Sequence, residues 1–364
     1  MIPSPSLKRL PSKTFANFNS NFTYSDAQVV MVGVACDITC TYGKGAWLGP
    51  QAFLDASFQI ETEVPYFHTD FSEKVKVHHA GIIECPRDVS KAIKKKRAWL
   101  EIKKITQEMV KRVQTISKKI LKDEKLLMVI GGDHSITNGV LNALDEVHGA
   151  ENVTIIHFDA HLDMREAYDA QEYSHASVMH NARKKGFPMV HIGIRDHISS
   201  EEADFIRENK WESTIFFCAT QPLAFYTTYA PKKGLFSPSN MIMNGLISPS
   251  QMGMILSSIK TKYVYISLDM DVLDPPLVPG TGTPLPLGLR MESLQEVLFA
   301  ILQQCKTQKS ILVGFDITEI APLLRKPSGK YNSKNVLSPL IEVHASLLAY
   351  KILFWWYLEK FLKK

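Results

Sequence analysis

Apolar runs recur along this chain at intervals that leave room for helices between them. Most of the runs are nearly continuous instead of alternating with polar residues, which is typical of strands buried on both faces. The pattern predicts eight strands. They are Val29–Val34, Val77–Ile83, Leu126–Ile130, Val153–Phe158, Val190–Ile194, Thr214–Cys218, Tyr263–Leu268 and Ile311–Phe315.

Stretches with helical patterns lie between these strands. The predicted helices include Pro50–Gln59, Ala98–Lys122, Thr137–Val147 and Met291–Gln304. Alternating strands and helices predict a three-layer α/β/α sandwich around a mostly parallel sheet of about eight strands. No repeat or low-complexity linker divides the chain, so we expect one domain over residues 1–364, with residues 1–26 as a flexible or peripheral N-terminal arm.

The segment Ala219–Ser250 fits this alternation least well. It has few acids, several prolines and glycines, and aromatic residues that look exposed. A loop of this length is usually functional or part of an interface. A contact between subunits is our first interpretation, while a lid and a family insertion stay open.

The composition is ordinary for a globular protein, with 45% hydrophobic and 22% charged residues among 364. A net charge of +5 is modest for this length and does not require a nucleic-acid partner. The basic run Lys94–Arg97 lies in a helix-like stretch from about Val89 to Asp123, and we interpret it as a solvated helix face.

Several features bear on the compartment. Five cysteines are too few and too irregularly spaced for a disulfide framework, which favours reduced thiols in a cytoplasmic protein. The N-terminus lacks the apolar region of a secretory signal, but it has no acid before Asp26, so an organellar transit peptide stays open. The apolar tail segment Ile352–Tyr357 is too short to span a membrane, and we expect a final helix packed on the core.

Candidate metal ligands follow three of the predicted strands, in the stretches GGDHSIT, HFDAHLDM and SLDMDVLDP. They are His134, Asp159, His161, Asp163, Asp269 and Asp271. Sites in open α/β sheets form outside the carboxyl ends of the strands, where loops converge. Burying so many carboxylates without a cation would cost several kcal/mol for each or force protonation. The set therefore predicts a site large enough for two divalent metals.

The spacing of these residues supports a shared site. Asp159, His161 and Asp163 stand at i, i+2 and i+4, so an extended chain would project all three to one face. We expect Gly131 and Gly132 to let the backbone turn tightly before His134. A lone histidine or aspartate would be a core residue or a helix cap, but the combined pattern is harder to dismiss. Oxygen-rich ligands suit Mn²⁺ better than structural zinc.

These motifs, together with PGTGTP, GKGAWLGP at Gly43–Pro50 and GFDITEIAP at Gly314–Pro322, resemble those of the arginase/agmatinase ureohydrolase family. The resemblance runs from about Val32 to Leu347. It implies an arginase-like fold, hydrolysis of a guanidino compound to urea and an amine, and a homo-oligomer, trimeric or hexameric. Histone deacetylase-like enzymes share the general fold, but the second aspartate of DAHLD and the DMD pair count against them.

The resemblance also implies roles for single residues. It implies two Mn²⁺ per chain, with Ni²⁺ or another divalent metal as an alternative. One metal would be held by His134, Asp159, Asp163 and Asp269, and the other by Asp159, His161, Asp269 and Asp271. Asp163 would also move a proton to the leaving amine, Glu319 would pair with the substrate guanidinium, and His175 would shuttle protons or polarise the substrate.

The substrate tail is less defined than the chemistry. The stretch MREAYDAQEYSHASVMHNA after DAHLD resembles the agmatinase branch, which implies agmatine as substrate, and putrescine and urea as products. Arginase is the runner-up, because Asp196 in GIRD resembles its pattern. Guanidino-acid and guanidine hydrolases of the same family stay open, as does a non-catalytic regulatory subunit.

Overall fold

A ten-stranded sheet forms the centre of the molecule in the computed structural model. The structure describes residues 6–8, 15–18, 22–86, 98–195, 198–209, 214–229, 238–324 and 336–361. The strands are β1 (Ser6–Lys8), β2 (Val29–Ala35), β3 (Glu63–Val64), β4 (Thr69–Asp70), β5 (Val77–Glu84), β6 (Leu126–Ile130), β7 (Val153–Phe158), β8 (Met189–Arg195), β9 (Ile215–Cys218), β10 (Met241–Ile242), β11 (Tyr263–Asp269), β12 (Ile311–Thr318), β13 (Leu323–Leu324) and β14 (Val336–Ser338).

The sheet has the strand order β1-β5-β2-β6-β12-β11-β7-β8-β9-β10. Its pairs are all parallel except β1 with β5, at one edge. All eight predicted strands belong to it, and the additional strands β1 and β10 are short edge strands. The prediction of a mostly parallel α/β sheet is confirmed. The remaining strands form two small hairpin-like pairs, β3 with β4 and β13 with β14.

Nine α-helices surround the sheet within the described residues. They are α1 (Gly49–Ser57), α2 (Ala98–Lys122), α3 (Thr137–His148), α4 (Val178–Lys185), α5 (Ser200–Asn209), α6 (Leu223–Tyr229), α7 (Pro249–Ser257), α8 (Met291–Gln308) and α9 (Leu340–Phe361). Helix α7 begins with a capping box between Ser248 and Gln251, and α4 ends at Gly186 in the left-handed conformation that glycine favours.

Two hydrophobic cores cover the two faces of the sheet. Ile266 of β11 packs in the core shared with α1, α7, α8 and α9. Its neighbour Tyr265 points the other way, into the core shared with α2, α3, α4 and α5. Successive strand residues face opposite sides, so an apolar run such as β11 is buried on both. The predicted three-layer sandwich is confirmed.

The remaining expectations meet the structure only in part. Phe15 of the N-terminal arm stacks on Phe53, with 5.2 Å between the ring centroids. The assignment of the whole chain to a single domain stays a prediction. The basic run 94–97 lies outside the described residues. Of the segment 219–250, helix α6 and strand β10 are described but residues 230–237 are not, so its role stays a prediction. Among the helices that the structure describes, none has both the length and the apolarity to cross a bilayer.

The order of the central strands decides where a site can form. Strands β6, β12, β11 and β7 are consecutive neighbours and run in parallel, so their carboxyl ends meet at one edge. Side chains that follow these four strands therefore converge, although they lie far apart along the chain.

Candidate metal centre

One cavity of about 200 Å³ lies at the carboxyl ends of the four central strands. All of the residues that the sequence singles out for chemistry line it. They are His134, Asp159, His161, Asp163, His175, Asp269, Asp271 and Glu319. Four different strands thus bring the candidate ligands and the candidate substrate-binding groups to one place.

The turn after β6 depends on its glycines for space. Neither Gly131 nor Gly132 has a positive φ, so the turn before His134 depends on the space that these glycines leave and not on left-handed backbone. A Cβ on Gly132 would lie 1.7 Å from the carbonyl oxygen of Cys36, and one on Gly131 would lie 2.3 Å from Ile136 Cδ1. The close approach of the chain at Cys36 is what excludes a side chain. Asp133 then caps the turn by accepting a hydrogen bond from the Ser135 amide at 3.1 Å.

The segment after β7 is irregular and not extended. Asp163 has a φ of 53°, in the left-handed region, so the expected i, i+2, i+4 projection is not how its side chain reaches the cavity. The Asp163 carbonyl oxygen accepts hydrogen bonds from the amides of Met179 at 3.0 Å and His180 at 3.1 Å. Helix α4 thereby holds a backbone conformation that costs a non-glycine residue about 1 kcal/mol or more. Glu319, with a φ of 57°, shares this feature.

The first group of candidate ligands surrounds His134. Its Nδ1 lies 3.0 Å from Asp159 Oδ2, 3.0 Å from Asp163 Oδ2 and 3.5 Å from Asp269 Oδ2. His157 Nε2 also lies 3.0 Å from Asp159 Oδ2. One ligand atom from each of His134, His157, Asp159 and Asp163 lies within 4.8 Å of the others.

The second group shares Asp159 with the first. Its members are Asp159, His161 and Asp271, whose ligand atoms also lie within 4.8 Å of one another. His161 Nδ1 lies 3.1 Å from Asp271 Oδ2 and 3.5 Å from Asp159 Oδ1. Asp271 Oδ1 accepts a hydrogen bond from the Ala160 amide at 3.0 Å, which ties the two ligand-bearing loops together. Asp269 belongs to neither group at that distance.

The charges around His134 are unbalanced. Burial acts to lower the pKa of His134, but Asp159 and Asp163 outweigh it and hold that pKa well above its ordinary value. Burial acts to raise the pKa of Asp159, yet His134 and His157 keep it well below the usual range. Burial and the charge of Asp159 raise the pKa of Asp163. Asp159, which stays ionised, thus lies beside Asp163, whose ionisation is disfavoured.

The pKa values of two further carboxyl groups, Asp269 and Glu319, also reflect an excess of negative charge in the site. Burial raises the pKa of Asp269 well above its usual range, and the charges of Asp271 and Asp159 add to this. Burial also raises the pKa of Glu319 well above its usual range, helped by Asp133 and Asp271. A divalent cation among these groups would reverse the effect, because it favours the ionised form of every carboxyl around it.

The donor set fits a metal. Within the described residues Arg195 is the single lysine or arginine that is buried. The buried carboxyl groups are Asp133, Asp159, Asp163, Glu202, Asp269, Asp271, Asp316, Glu319 and Glu342. Such an excess of acids over bases is stable only when protons or cations offset it. Carboxylate oxygens with a few imidazoles suit Mn²⁺ or a similar divalent ion, and two groups that share Asp159 fit a pair.

Sequence reasoning missed several residues of the site. His157 stands two residues before Asp159, and the same alternation that singled out His161 could have found it. Arg165 and Glu202 also line the cavity. Glu202 accepts hydrogen bonds from Ser199 Oγ at 2.7 Å and the Ser199 amide at 3.1 Å, and the S-x-x-E spacing was a visible signal of that cap. Asp196, which favoured arginase, lies outside the described residues.

The sequence model of the Arginase family matches residues 27–218 and 235–337. This match covers more than half of the chain. Residues 219–234, inside the segment that fitted the sheet pattern least well, fall outside it.

Individual relatives agree with the family match. The chain is 30% identical over 345 residues to the N(1)-aminopropylagmatine ureohydrolase of Synechocystis sp., with 94% of each protein covered. It is 26% identical over 296 residues to the agmatinase of Pyrococcus horikoshii, covering 81% of this chain and 84% of that protein. The solved structure of the agmatine ureohydrolase of Thermoplasma volcanium has a TM-score of 0.67 and 22% identity, covering 97% and 98% of the two chains. This structural likeness shows the same fold.

Proposed function

This chain belongs to the arginase family and is a ureohydrolase, and we propose that its substrate is a guanidino compound with a polyamine tail. Hydrolysis would release urea and the free amine. Relatives named agmatinase and N(1)-aminopropylagmatine ureohydrolase support agmatine or its aminopropyl derivative. Agmatine would give putrescine and urea.

One observation carries the proposal. Two groups of candidate ligands share Asp159 at the floor of a cavity whose wall also holds the buried carboxyl of Glu319. The two ligand groups fit metal cations. The Glu319 carboxyl fits a guanidinium, which every member of the proposed substrate class contains.

We propose two Mn²⁺ per chain. His134, Asp163 and the shared Asp159 would hold one, and His161, Asp271 and Asp159 the other, with Asp269 completing both sets. When bound, a metal pair lowers the pKa of a water from about 16 towards neutrality and so supplies the nucleophile. Oxygen-rich donors favour Mn²⁺ in this role, with Ni²⁺ as an alternative.

Glu319 is suited to orient the substrate. The His134 amide donates a hydrogen bond to Glu319 Oε1 at 3.1 Å, and the Glu319 amide donates to the Gly132 carbonyl oxygen at 2.8 Å. The first contact holds the carboxylate, and the second holds the backbone of Glu319, against the turn that carries His134. A carboxylate held in this way can accept two parallel N–H bonds from a guanidinium and present its central carbon to the water.

Asp163 and His175 are the candidates for moving the proton. Hydrolysis adds water across the bond between the guanidinium carbon and the tail nitrogen, so one proton must reach the leaving amine. Asp163 lies at the floor of the cavity and His175 on its wall, where the His175 amide is held by Thr39 Oγ1 at 3.1 Å. A carboxylate and an imidazole that line the same cavity can accept and return that proton.

The cavity lining also contains an acidic and a basic residue that could contact the substrate tail, Glu202 and Arg165. Glu202 is 7% exposed, lines the cavity, and would attract the ammonium groups of a polyamine tail. Arg165 lines the same cavity and lies over the Tyr168 ring at 4.9 Å. The positive charge of Arg165 favours a substrate whose tail carries a carboxylate. This supports a guanidino acid or arginine as the second candidate substrate.

The test is urea release from Mn²⁺-loaded protein with agmatine, N(1)-aminopropylagmatine, arginine, guanidinobutyrate, guanidinopropionate and guanidine. We expect one of the two polyamine-type compounds to dominate. Glu202→Gln should then lower kcat/KM for that compound about tenfold and change guanidinobutyrate little, since glutamine keeps the helix cap but removes the charge. Silence across the panel with two metals bound would instead support a non-catalytic subunit.

We also propose a homo-oligomer in the cytoplasm, a trimer or hexamer, built from one ureohydrolase domain per chain. The family resemblance supports this assembly, and the segment 219–250 is the proposed contact. Light scattering of the intact chain would give the number of subunits, and a monomer at working concentration would contradict the proposal.

A further inference from the structure

Arg195, at the end of β8, is buried with 1% of its surface exposed. Every acceptor of its guanidinium within the described residues is a backbone carbonyl oxygen. These carbonyls belong to Gly193, Asp271, Val272, Leu273, Leu285 and Pro286, at distances between 2.7 and 3.3 Å. Arginine stays charged at any working pH, so a full positive charge is fixed here.

A buried charge that meets only neutral acceptors is unusual. Burying an ion without a counterion costs several kcal/mol, and carbonyl dipoles offset only part of that cost. Nη2 donates to the carbonyl oxygen of Asp271 at 3.0 Å, so the guanidinium adjoins a residue whose carboxylate belongs to the second ligand group. The excess of buried acids in the candidate metal centre therefore lies beside the one buried arginine of the described residues.

The backbone of β8 is shaped to place this side chain. The register of β8 against β9 shifts between Ile192 and Ile194, which marks a bulge at Gly193. Gly193 has a φ of 99°, and a Cβ there would lie 2.4 Å from Val272 Cγ2, so only glycine fits. Bulges next to active sites commonly redirect one side chain. Here the bulge turns Arg195 beneath the loop 271–273.

The contacts of Arg195 join three segments of the site. Its amide donates to the Ala160 carbonyl oxygen at 2.9 Å, and the Ala160 amide donates to Asp271 Oδ1 at 3.0 Å. The guanidinium holds the carbonyls of residues 271–273 and, across from them, those of Leu285 and Pro286. Losing it would remove this support from the loop that carries Asp271, whereas the contacts of His134 with Asp159 and Asp163 come from another segment.

We propose that Arg195 is a positioning residue for the second ligand group, holding Asp271 in place and supplying a fixed positive charge beside it. The inference rests on the proposed metal centre. Supporting residues around a metal site commonly change its affinity by about 10- to 100-fold. The affinity of the second metal should therefore depend on Arg195, and that of the first should not.

The experiment titrates Mn²⁺ into metal-free full-length protein by calorimetry and compares wild type with Arg195→Met, Arg195→Lys and the control Arg290→Met. Arg290 is an exposed arginine whose Nε bonds the Asn244 carbonyl oxygen at 3.0 Å. We expect Arg195→Met to weaken one of the two sites about 10- to 100-fold and to leave the other within about threefold. Arg195→Lys should fall between, since it keeps the charge but not the planar fork.

Each outcome decides the inference. If Arg195→Met is too unstable to load, Arg195→Lys carries the test, because lysine keeps the charge but cannot hold the carbonyls of both segments with a planar fork. The second site should then still lose affinity and the first should not. Unchanged affinity at both sites, with only a lower melting temperature, would make Arg195 merely structural. An equal loss at both sites would also overturn the site-selective role. A wild-type protein that binds fewer than two Mn²⁺ would instead refute the proposed metal centre.

Discussion

The imidazole of His134 is oriented by the hydroxyl of Ser267, with Nε2 2.9 Å from Oγ. Ser267 donates its own hydrogen to Asp316 Oδ1 at 2.9 Å, so its oxygen can only accept from His134. Loss of the second ring proton, which Asp159 and Asp163 oppose, can therefore occur only at Nδ1, and it leaves a neutral imidazole with its proton on Nε2 and its lone pair facing those carboxylates. This is the tautomer that a metal ligand requires.

Ser267→Ala should therefore weaken Mn²⁺ binding at the site of His134 about 10- to 100-fold, because the imidazole loses the partner that sets its tautomer. The measurement is a titration of metal-free protein with Mn²⁺. Ser257→Ala, on the exposed side of α7, is the matched control and should leave the affinity unchanged. Unaltered binding in Ser267→Ala would mean that the hydroxyl does not set the tautomer.

The shared position of Asp159 leads to a second prediction. Asp159→Asn should reduce both bound metals, because this carboxylate belongs to both ligand groups, whereas Asp271→Asn should leave close to one per chain. The metal content of dialysed protein measures the difference. Asp145→Asn, at a surface carboxylate 2.9 Å from Lys185 Nζ, controls for loss of charge alone. Full metal content and full activity in Asp159→Asn would refute the bridging role.

Much of the fold was predictable because eight of the ten strands in the main sheet have four to eight residues, and most of these are nearly continuous apolar runs. Strand β10 has only two residues, Met241 and Ile242, which is too short for any periodic pattern. The site was predictable for a different reason. Charged residues directly after buried strands have few structural explanations, and parallel strands bring their carboxyl ends together whatever lies between them in sequence.

The unpredicted parts of the site depend on contacts between distant segments. His157 stands within an apolar run and resembled a strand residue, and only the fold shows its Nε2 at Asp159. Arg195 ends an apolar strand in the same way, and all of its carbonyl acceptors except Gly193 come from residues 76 to 91 positions away. The left-handed backbone of Asp163 is imposed by α4. The contacts of Arg195 and Asp163 have no local sequence signal, whereas His157 shares the alternation of Asp159 and His161.

Glu319 leads to a third prediction. Glu319→Gln should raise KM for every guanidino substrate by about tenfold or more while metal content stays intact, because the charge of the acceptor is lost but its shape is kept. Steady-state urea release beside metal analysis measures both quantities. Glu292→Gln, in the first turn of α8, is the control. Loss of metal from Glu319→Gln would show that this carboxyl belongs to the metal site instead.

Acid stability should depend on His79, far from the metal ligands in sequence. Both of its ring nitrogens are buried, and neither has a hydrogen-bond partner among the described residues. Burial, with a smaller contribution from the neighbouring His78, lowers the pKa of His79 from 6.5 to about 4. Between pH 6.5 and 4, His79 is protonated in the unfolded chain but stays neutral in the folded chain. Stability therefore falls as the pH drops from 6.5 towards 4.

A shift of this size corresponds to about 3 kcal/mol of stability lost across that pH window. His79→Leu removes the titrating group, so its free energy of unfolding should fall less than that of wild type between pH 6.5 and 4, by about that amount. Urea unfolding at several pH values measures the difference, and comparison with wild type cancels the contribution of the other titrating groups. His68→Asn, at an exposed histidine, should keep the wild-type slope. Parallel pH profiles for His79→Leu and wild type would mean that His79 is protonated in the folded protein as readily as in the unfolded chain.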